Sequence, residues 1–274
     1  MPSPTDITPP QLVRRIGLPD APDIIDTRID DDFAADPRQI PSAIRRSHRD
    51  AAIWAPLYAD RSVVVTCQRG AKLSQGTAAL LRHAGARAES LAGGFEAWRD
   101  AGLPLLNPAP LPPRHANGHT MWVTRQRPKI DRIACPWLIR RFVDPGAIFL
   151  FVPPADVADV ADRFGAAAFD IDGIFWSHRG ALCTFDVMLD EFAIHSEALD
   201  RLALIVRAAD TARLDLAPEA AGLLAASLGL SRMYRDDLAQ LDAGLALYDA
   251  FYRWCRDATD ETHNWPASGR KDAQ

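Results

Sequence analysis

The chain has 274 residues, room for two domains rather than one core, and its 48% hydrophobic and 24% charged residues are ordinary for a soluble globular protein. A net charge of −5 argues against a general nucleic-acid binder. No apolar run approaches the roughly 18 residues of a membrane span, MPSPTDITPP lacks the basic and apolar regions of a secretory leader, and four scattered cysteines without a CxxC pair are expected to be free thiols. Together these features lead us to expect a cytoplasmic protein.

Thr8 to Gly17 reads as a short helix: Thr8 caps it, Pro9 and Pro10 suit its first turn, and Leu12, Val13 and Ile16 form an apolar stripe. Asp23 to Arg28 is a brief strand, and the acidic run Asp30 to Asp36 a solvated connection. Ile40 to Ile44 is extended, as the residue before Pro41 prefers. Val63 to Thr66 is a buried strand, Gly76 to Ala84 a helix with Leu80 and Leu81 inward, and Ala86 to Leu91 a third strand. A helix from Phe95 to Ala101 stops at Gly102, with Pro104 just beyond. Strand alternating with helix implies an α/β unit on a parallel sheet.

The proline-rich stretch Asn107 to His119 reads as an extended, semi-rigid linker. Beyond it, Trp122 to Thr124 opens a strand followed by the basic segment Arg125 to Lys129. Ile130 to Phe142 has helical apolar spacing, but Pro136 fits best in a first turn, which places the helix start near Cys135. Ala147 to Val152 is a strand, Val157 to Phe164 a short helix, and Ala168 to Ile171 another strand ending at Asp172-Gly173. From Leu199 onward the pattern is helical. Leu199, Leu202, Val206 and Ala209 share one face, Ala220 to Leu228 forms a second helix, and Leu238, Leu241, Leu245, Tyr248 and Tyr252 line a third. The expected division is 1–106, a linker over 107–118, a second domain over 119–266 and a disordered tail over 267–274.

Residues 63–74, VVVTCQRGAKLS, hold the sharpest chemistry. A strand ending in Cys67, followed by a glycine loop and a helix, aims backbone N–H groups and a helix N-terminus at the thiol. Arg69 and Lys72 add positive charge, favouring a thiolate and an anionic sulfur donor. Such a loop, Gln68, Arg69, Gly70, Ala71, Lys72 and Leu73, suits sulfur transfer through a cysteine persulfide.

Several spaced motifs in the first hundred residues resemble a single-domain rhodanese, a thiosulfate-type sulfurtransferase. They are Ile24-Ile25-Asp26-Thr27-Arg28, Ile40-Pro41-Ser42-Ala43, Cys67 with Gly70, and Gly93-Gly94-Phe95-Glu96-Ala97-Trp98 running on to Ala101-Gly102-Leu103-Pro104. The resemblance implies Cys67 as the sulfur-carrying nucleophile, residues 68–73 as its cradle, and Asp26 and Arg28 in structural roles. Gln39 and Ser42 depart from the family's usual histidine and glycine. Related phosphatases carry a Cys-x5-Arg loop; here the sixth residue after Cys67 is Leu73, so phosphatase chemistry lacks its clamp.

In the second half, Lys129, Arg132, Arg140 and Arg141 around Cys135 suggest an oxyanion site, with Cys135 as a relay thiol, or else a solvated basic helix face. His178 and Cys183, read as lying on a β-hairpin, are potential metal ligands that His195 and His263 could complete, although the spacing matches no standard zinc pattern. This half resembles the C-terminal domain of the chromate-resistance family ChrB. Residues 123–141, Ser177-His178-Arg179-Gly180, Cys183-Thr184-Phe185-Asp186, Ala208-Ala209-Asp210 and Glu261-Thr262-His263-Asn264-Trp265 carry the resemblance. The expected architecture is an α/β rhodanese-like parallel sheet with flanking helices, joined to an α+β, mostly helical ChrB-like domain. The expected function is a sulfurtransferase moving sulfane sulfur from a small donor such as thiosulfate to a thiol, cyanide-like or protein acceptor. It needs no cofactor, with a metal in the second domain left open, and neither membrane nor nucleic acid takes part. The alternative is a non-enzymatic sensor of sulfane sulfur or oxyanions.

Overall fold

A computed structural model describes residues 5–116 and 118–261. His263 and the expected tail over 267–274 lie outside the described residues. The first unit runs β1 (Asp6–Ile7), α1 (Pro9–Val13), β2 (Asp23–Asp26), α2 (Asp30–Ala35), β3 (Ile44–Arg45), α3 (Ala51–Trp54), β4 (Ser62–Thr66), α4 (Lys72–His83), β5 (Arg87–Leu91) and α5 (Gly94–Asp100). Among the described residues its strands pair in parallel in the order β1-β5-β4-β2-β3.

Side chains alternate across this sheet, and both faces are covered. Ile25, Val63 and Val65 face Trp54, Ala78 and Leu81 of the helices on one side. Ile24, Val64 and Leu91 face Phe95 and Trp98 on the other. That is why the strands read as apolar runs rather than alternating patterns. The chain leaves β2 in one direction, to β3, and returns on its other side at β4, so strand order reverses between β2 and β4. The carboxyl ends flanking such a reversal open a crevice where open α/β sheets place their sites. Thr27 bridges it, its backbone N–H and hydroxyl both donating to the Thr66 carbonyl at 2.8 Å.

Several local expectations change. The acidic run is a helix, α2, whose three first-turn aspartates complement the positive end of the helix dipole. α4 begins at Lys72 rather than Gly76, and Leu80 points outward, 42% exposed, while Leu81 is buried. Residues 48–58 form short helical turns whose apolar Ile53 and Leu57 are exposed, which blurred any periodic signal.

The second unit comprises β6 (Met121–Arg125), α6 (Asp131–Leu138), β7 (Ile148–Val152), α7 (Val157–Phe164), β8 (Ala167–Ala168), α8 (Thr184–Phe192), α9 (Glu197–Asp210), α10 (Ala220–Met233) and α11 (Asp237–Asp257). A small parallel sheet, β7-β6-β8, backs the helices. The helix expected to start near Cys135 starts at Asp131, so Pro136 lies inside it. Tertiary packing overrides the proline: α6 is almost wholly buried and runs on as a π turn over Ile139–Val143. Ile130, just before it, takes φ +41°, and the buried Tyr248 hydroxyl donates to its carbonyl at 3.0 Å. The segment read as a hairpin around His178 is a tight Arg179–Leu182 turn leading into α8, a helix the sequence reading missed. Leu238 is exposed, unlike its partners Leu241, Leu245, Tyr248 and Tyr252.

The two units share one apolar core that runs from Ile24 and Trp98 to Trp137 and Tyr252. The Ser42 N–H donates to the Phe142 carbonyl at 2.6 Å. Gly17, at φ +82°, sits where a Cβ would collide with the rings of Phe142 and Tyr252. The proline-rich segment is fastened down as well: the Asn107 N–H donates to the Phe192 carbonyl, and Leu111 packs against the core.

Candidate functional site

Cys67 leaves the carboxyl end of β4 beside the start of α4, and the residue is only 5% exposed. Its sulfur lies 3.3 Å from the hydroxyl of Ser74, in the first turn of α4, and the Ser74 hydroxyl donates to the Ala71 carbonyl at 3.1 Å. The thiol therefore lies beside the first turn of α4, near the positive pole of that helix, with the Ala71 carbonyl 4.0 Å from the sulfur. The loop is clamped from the other side by the Gly93-Gly94 turn. The Phe95 N–H donates to the Cys67 carbonyl at 2.9 Å and the Glu96 N–H to the Gln68 carbonyl at 3.0 Å. Gly70 and Gly94 both take positive φ and touch backbone to backbone: a Cβ on Gly94 would strike the Cys67 carbonyl and the Gly70 nitrogen. The Gly-Gly-Phe-Glu-Ala-Trp segment thus fixes the cysteine loop.

The loop's cations lie at the surface. Arg69 is exposed and reaches Glu96 at 3.4 Å, and Lys72 is exposed. Charge is buried beneath the loop instead. Arg28 donates through Nε to Asp26 (2.8 Å), caps the carbonyls of Asp36 and Arg38 at 2.8 Å, and stacks 3.8 Å from the centroid of Phe95. Asp26 and Arg28 are both buried, so this pair carries the turn that clamps Cys67.

A second cluster lies in the other unit. His178 Nε2 is 3.2 Å from Asp210 Oδ2, 3.4 Å from Asp131 Oδ2 and 3.5 Å from Asp170 Oδ1. Asp131 opens α6, Asp170 follows β8, His178 sits on the loop before α8, and Asp210 ends α9. Hydrogen bonding to Asp131 and Asp170 pushes His178 up to about 10. Burial, with the charges of Asp131 and Asp170, pushes Asp210 up to about 7, and burial also raises Asp131. Burial opposes ionisation of Asp170 too, but the hydrogen bond from His178 and the nearby Arg132 and Arg125 win and hold it below the usual carboxylate range.

Family comparison separates the chain at the same place as its fold. Residues 8–101 match the rhodanese-like domain, and residues 122–255 match the ChrB C-terminal domain. The chain joins a rhodanese-like domain to a ChrB C-terminal domain. A ChrB protein from Cupriavidus metallidurans is 37% identical over 132 residues, 48% of this chain but only 39% of that protein's length. Among solved structures, a rhodanese-related protein from Thermoplasma volcanium is 20% identical, covering 37% of this chain and 96% of its own, with a TM-score of 0.32. A rhodanese-like domain protein from Staphylococcus aureus is 22% identical, covering 34% of this chain and 90% of its own, with a TM-score of 0.31.

Within the ChrB C-terminal domain, the basic residues named from sequence do not converge. Arg132 lies 3.3 Å from Asp170, Arg140 reaches Asp242 at 3.4 Å, Arg141 forks onto Asp249 at 2.8 Å, and half-buried Lys129 lines a small hollow with Ile133 and Gly244. Cys135 is completely buried, and burial pushes its thiol well up, the wrong direction for a relay thiolate. Of the metal-ligand set named from sequence, and among the described residues, His178 joins the cluster and the Cys183 thiol approaches it against Asp131. Cys183 is buried at the start of α8 with its thiol pushed up by burial, and His195 pairs with Asp190 and Asp200. Asp131, Asp170 and Asp210 are the residues the sequence reading missed. Asp131 and Asp210 stand in segments that carry the ChrB resemblance, yet neither was named as a ligand, and Asp170 drew no notice at all. A cleft of about 660 Å³ lies between the domains and is lined by Ile16, Trp98, Phe142 and Tyr252, none of them a residue of either site.

Proposed function

We propose that the rhodanese-like domain is a sulfurtransferase that carries sulfane sulfur on Cys67. The observation behind this reading is the Cys67 sulfur set 3.3 Å from the Ser74 hydroxyl, at a helix N-terminus and inside a loop held by backbone contacts. The Cys67 thiolate attacks the outer sulfur of a thiosulfate-type donor. The donor's sulfur–sulfur bond breaks, and sulfite leaves with the bonding electron pair. A thiol or cyanide-like acceptor then attacks the terminal sulfur, and Cys67 departs as a thiolate. Backbone N–H groups at the start of α4 stabilise the persulfide anion, and the loop from Gln68 to Leu73 wraps it.

The donor in this reading is a small anionic sulfur compound and the acceptor a thiol, free or on a protein. We place the reaction in the cytoplasm: the cysteines are free, and among the described residues no helix is long and apolar enough to cross a membrane. The ChrB C-terminal domain ties that chemistry to chromate and related oxyanions. Thiocyanate release from thiosulfate and cyanide is the test. Turnover by the intact chain and its loss in Cys67→Ala are expected; turnover that survives the substitution sinks the reading.

One observation favours a second reading, a sensor of sulfane sulfur. Cys67 is 5% exposed, which restricts access for a second substrate. Mass spectrometry that finds one stable added sulfur on Cys67, with no turnover, supports the sensor.

A further inference from the structure

We propose that His178, Asp131, Asp170 and Asp210 form a binding site for one divalent first-row metal cation. Three observations carry it, and they rest on the second domain alone, independent of the Cys67 chemistry.

First, the donor atoms converge. One oxygen each from Asp131 and Asp170 and one imidazole nitrogen from His178 lie within 4.8 Å of one another, and Asp210 Oδ2 is 3.2 Å from the same nitrogen. These residues come from separate segments, so no local turn or helical spacing explains their meeting.

Second, the innermost carboxylate is left unfinished. Asp131 is completely buried; its Oδ2, the oxygen nearest His178, accepts the Thr184 N–H at 2.6 Å, the Cys183 thiol lies beside the carboxylate, and Oδ1 has no well-formed hydrogen bond. A buried carboxylate oxygen without a donor is costly, and native structures rarely leave one so. A cation supplies what it lacks.

Third, the outer side of the cluster is braced as ligands usually are. Arg125 and Arg132 hold the Oδ2 of Asp170 at 3.1 and 3.3 Å, leaving Oδ1 turned to His178, where the Thr184 hydroxyl steadies it at 3.1 Å. The hydrogen bonds from Arg125 and Thr184 are of the kind that orients ligating carboxylates, and Arg132 adds an ion pair. The His178 side chain is 39% exposed and that of Asp210 19%, which leaves a path for the ion and room for water ligands.

Oxygen donors with one imidazole select a cation of intermediate hardness such as Mn²⁺ or Fe²⁺, with Zn²⁺ the competitor to exclude. The competing arrangement is a closed ion-pair network in which protonated His178, Arg125 and Arg132 balance the three carboxylates. The two differ in whether an added cation is taken up. The full chain, stripped with a chelator, is titrated with Mn²⁺ while the free-ion electron paramagnetic resonance signal is followed. Expected is saturable uptake of one equivalent, weakened about tenfold or more by His178→Ala and independently by Asp210→Asn, with His195→Ala unchanged. Circular dichroism confirms that each variant is folded, and the two partly exposed positions keep the test open should one variant fail. Absence of saturable uptake of both Mn²⁺ and Zn²⁺, or uptake indifferent to both substitutions, overturns the proposal in favour of the ion-pair network.

Discussion

The Cys67 loop and the His178 cluster are made of different material. Around Cys67 the structure is backbone: a helix N-terminus, a glycine loop and a second glycine turn pressed against it, with the charged side chains turned to solvent. Around His178 it is side chain: three carboxylates and an imidazole brought in by separate elements and braced by arginines. A backbone site is vulnerable wherever glycine is required and tolerant where a side chain is trimmed. A side-chain site reverses that order. The contrast says which substitutions matter in each half of the protein.

The largest effect should come from the one place where the first site depends on buried charge. Asp26→Asn leaves Arg28 buried without its counter-ion, and removal of one partner of a buried pair costs about 3–5 kcal/mol. Urea unfolding monitored by tryptophan fluorescence should register that loss. A change below about 1 kcal/mol would mean that the Asp36 and Arg38 carbonyls and the Phe95 ring satisfy Arg28 unaided.

Gly94→Ala tests the backbone clamp directly. Its φ of +62° and the collision of a new Cβ with the Cys67 carbonyl predict a loss of about 2–4 kcal/mol, from strain and overpacking together. Sulfur transfer should fall more steeply than stability, because the displaced atom is the carbonyl of the proposed nucleophile. Equal activity in a folded variant would separate the turn from the site.

The same contrast explains what was legible in the sequence. The first domain's sheet, its strand-to-helix alternation and the place of Cys67 follow from local signals: valine runs, glycine turns and stop signals within a few residues of each other. The second site carries no such signal. Asp131, Asp170, His178 and Asp210 are spread over eighty residues, and Asp131 stands at a helix start that Pro136 disguised. His178 was visible as a ligand type, but its carboxylate partners were not, because only folding sets carboxylates from α6, the segment after β8 and α9 around it. The basic residues of 125–141 misled for the same reason: Arg125 and Arg132 meet on Asp170 while Arg127, Arg140 and Arg141 go to three other acids, and sequence proximity made them look like one patch.

The smallest expected effect is the most useful for the comparison. Arg69 is the cation nearest Cys67 in sequence, and a loop that relied on side-chain charge to hold an anionic donor would rely on it first. Its side chain is 80% exposed and its partner Glu96 is 31% exposed. Exposed pairs of this kind contribute about 0–1 kcal/mol, and less in salt. Arg69→Ala should therefore shift stability by no more than about 0.5 kcal/mol. It should leave thiocyanate formation within about a factor of three, most of it in the donor's KM at low salt, since a rim charge chiefly steers encounter. A tenfold fall in kcat at physiological salt would show that the guanidinium, and not the amides of the helix start, bears the developing charge. The Cys67 loop would then be a side-chain site like the His178 cluster, and the distinction between the two halves would fail.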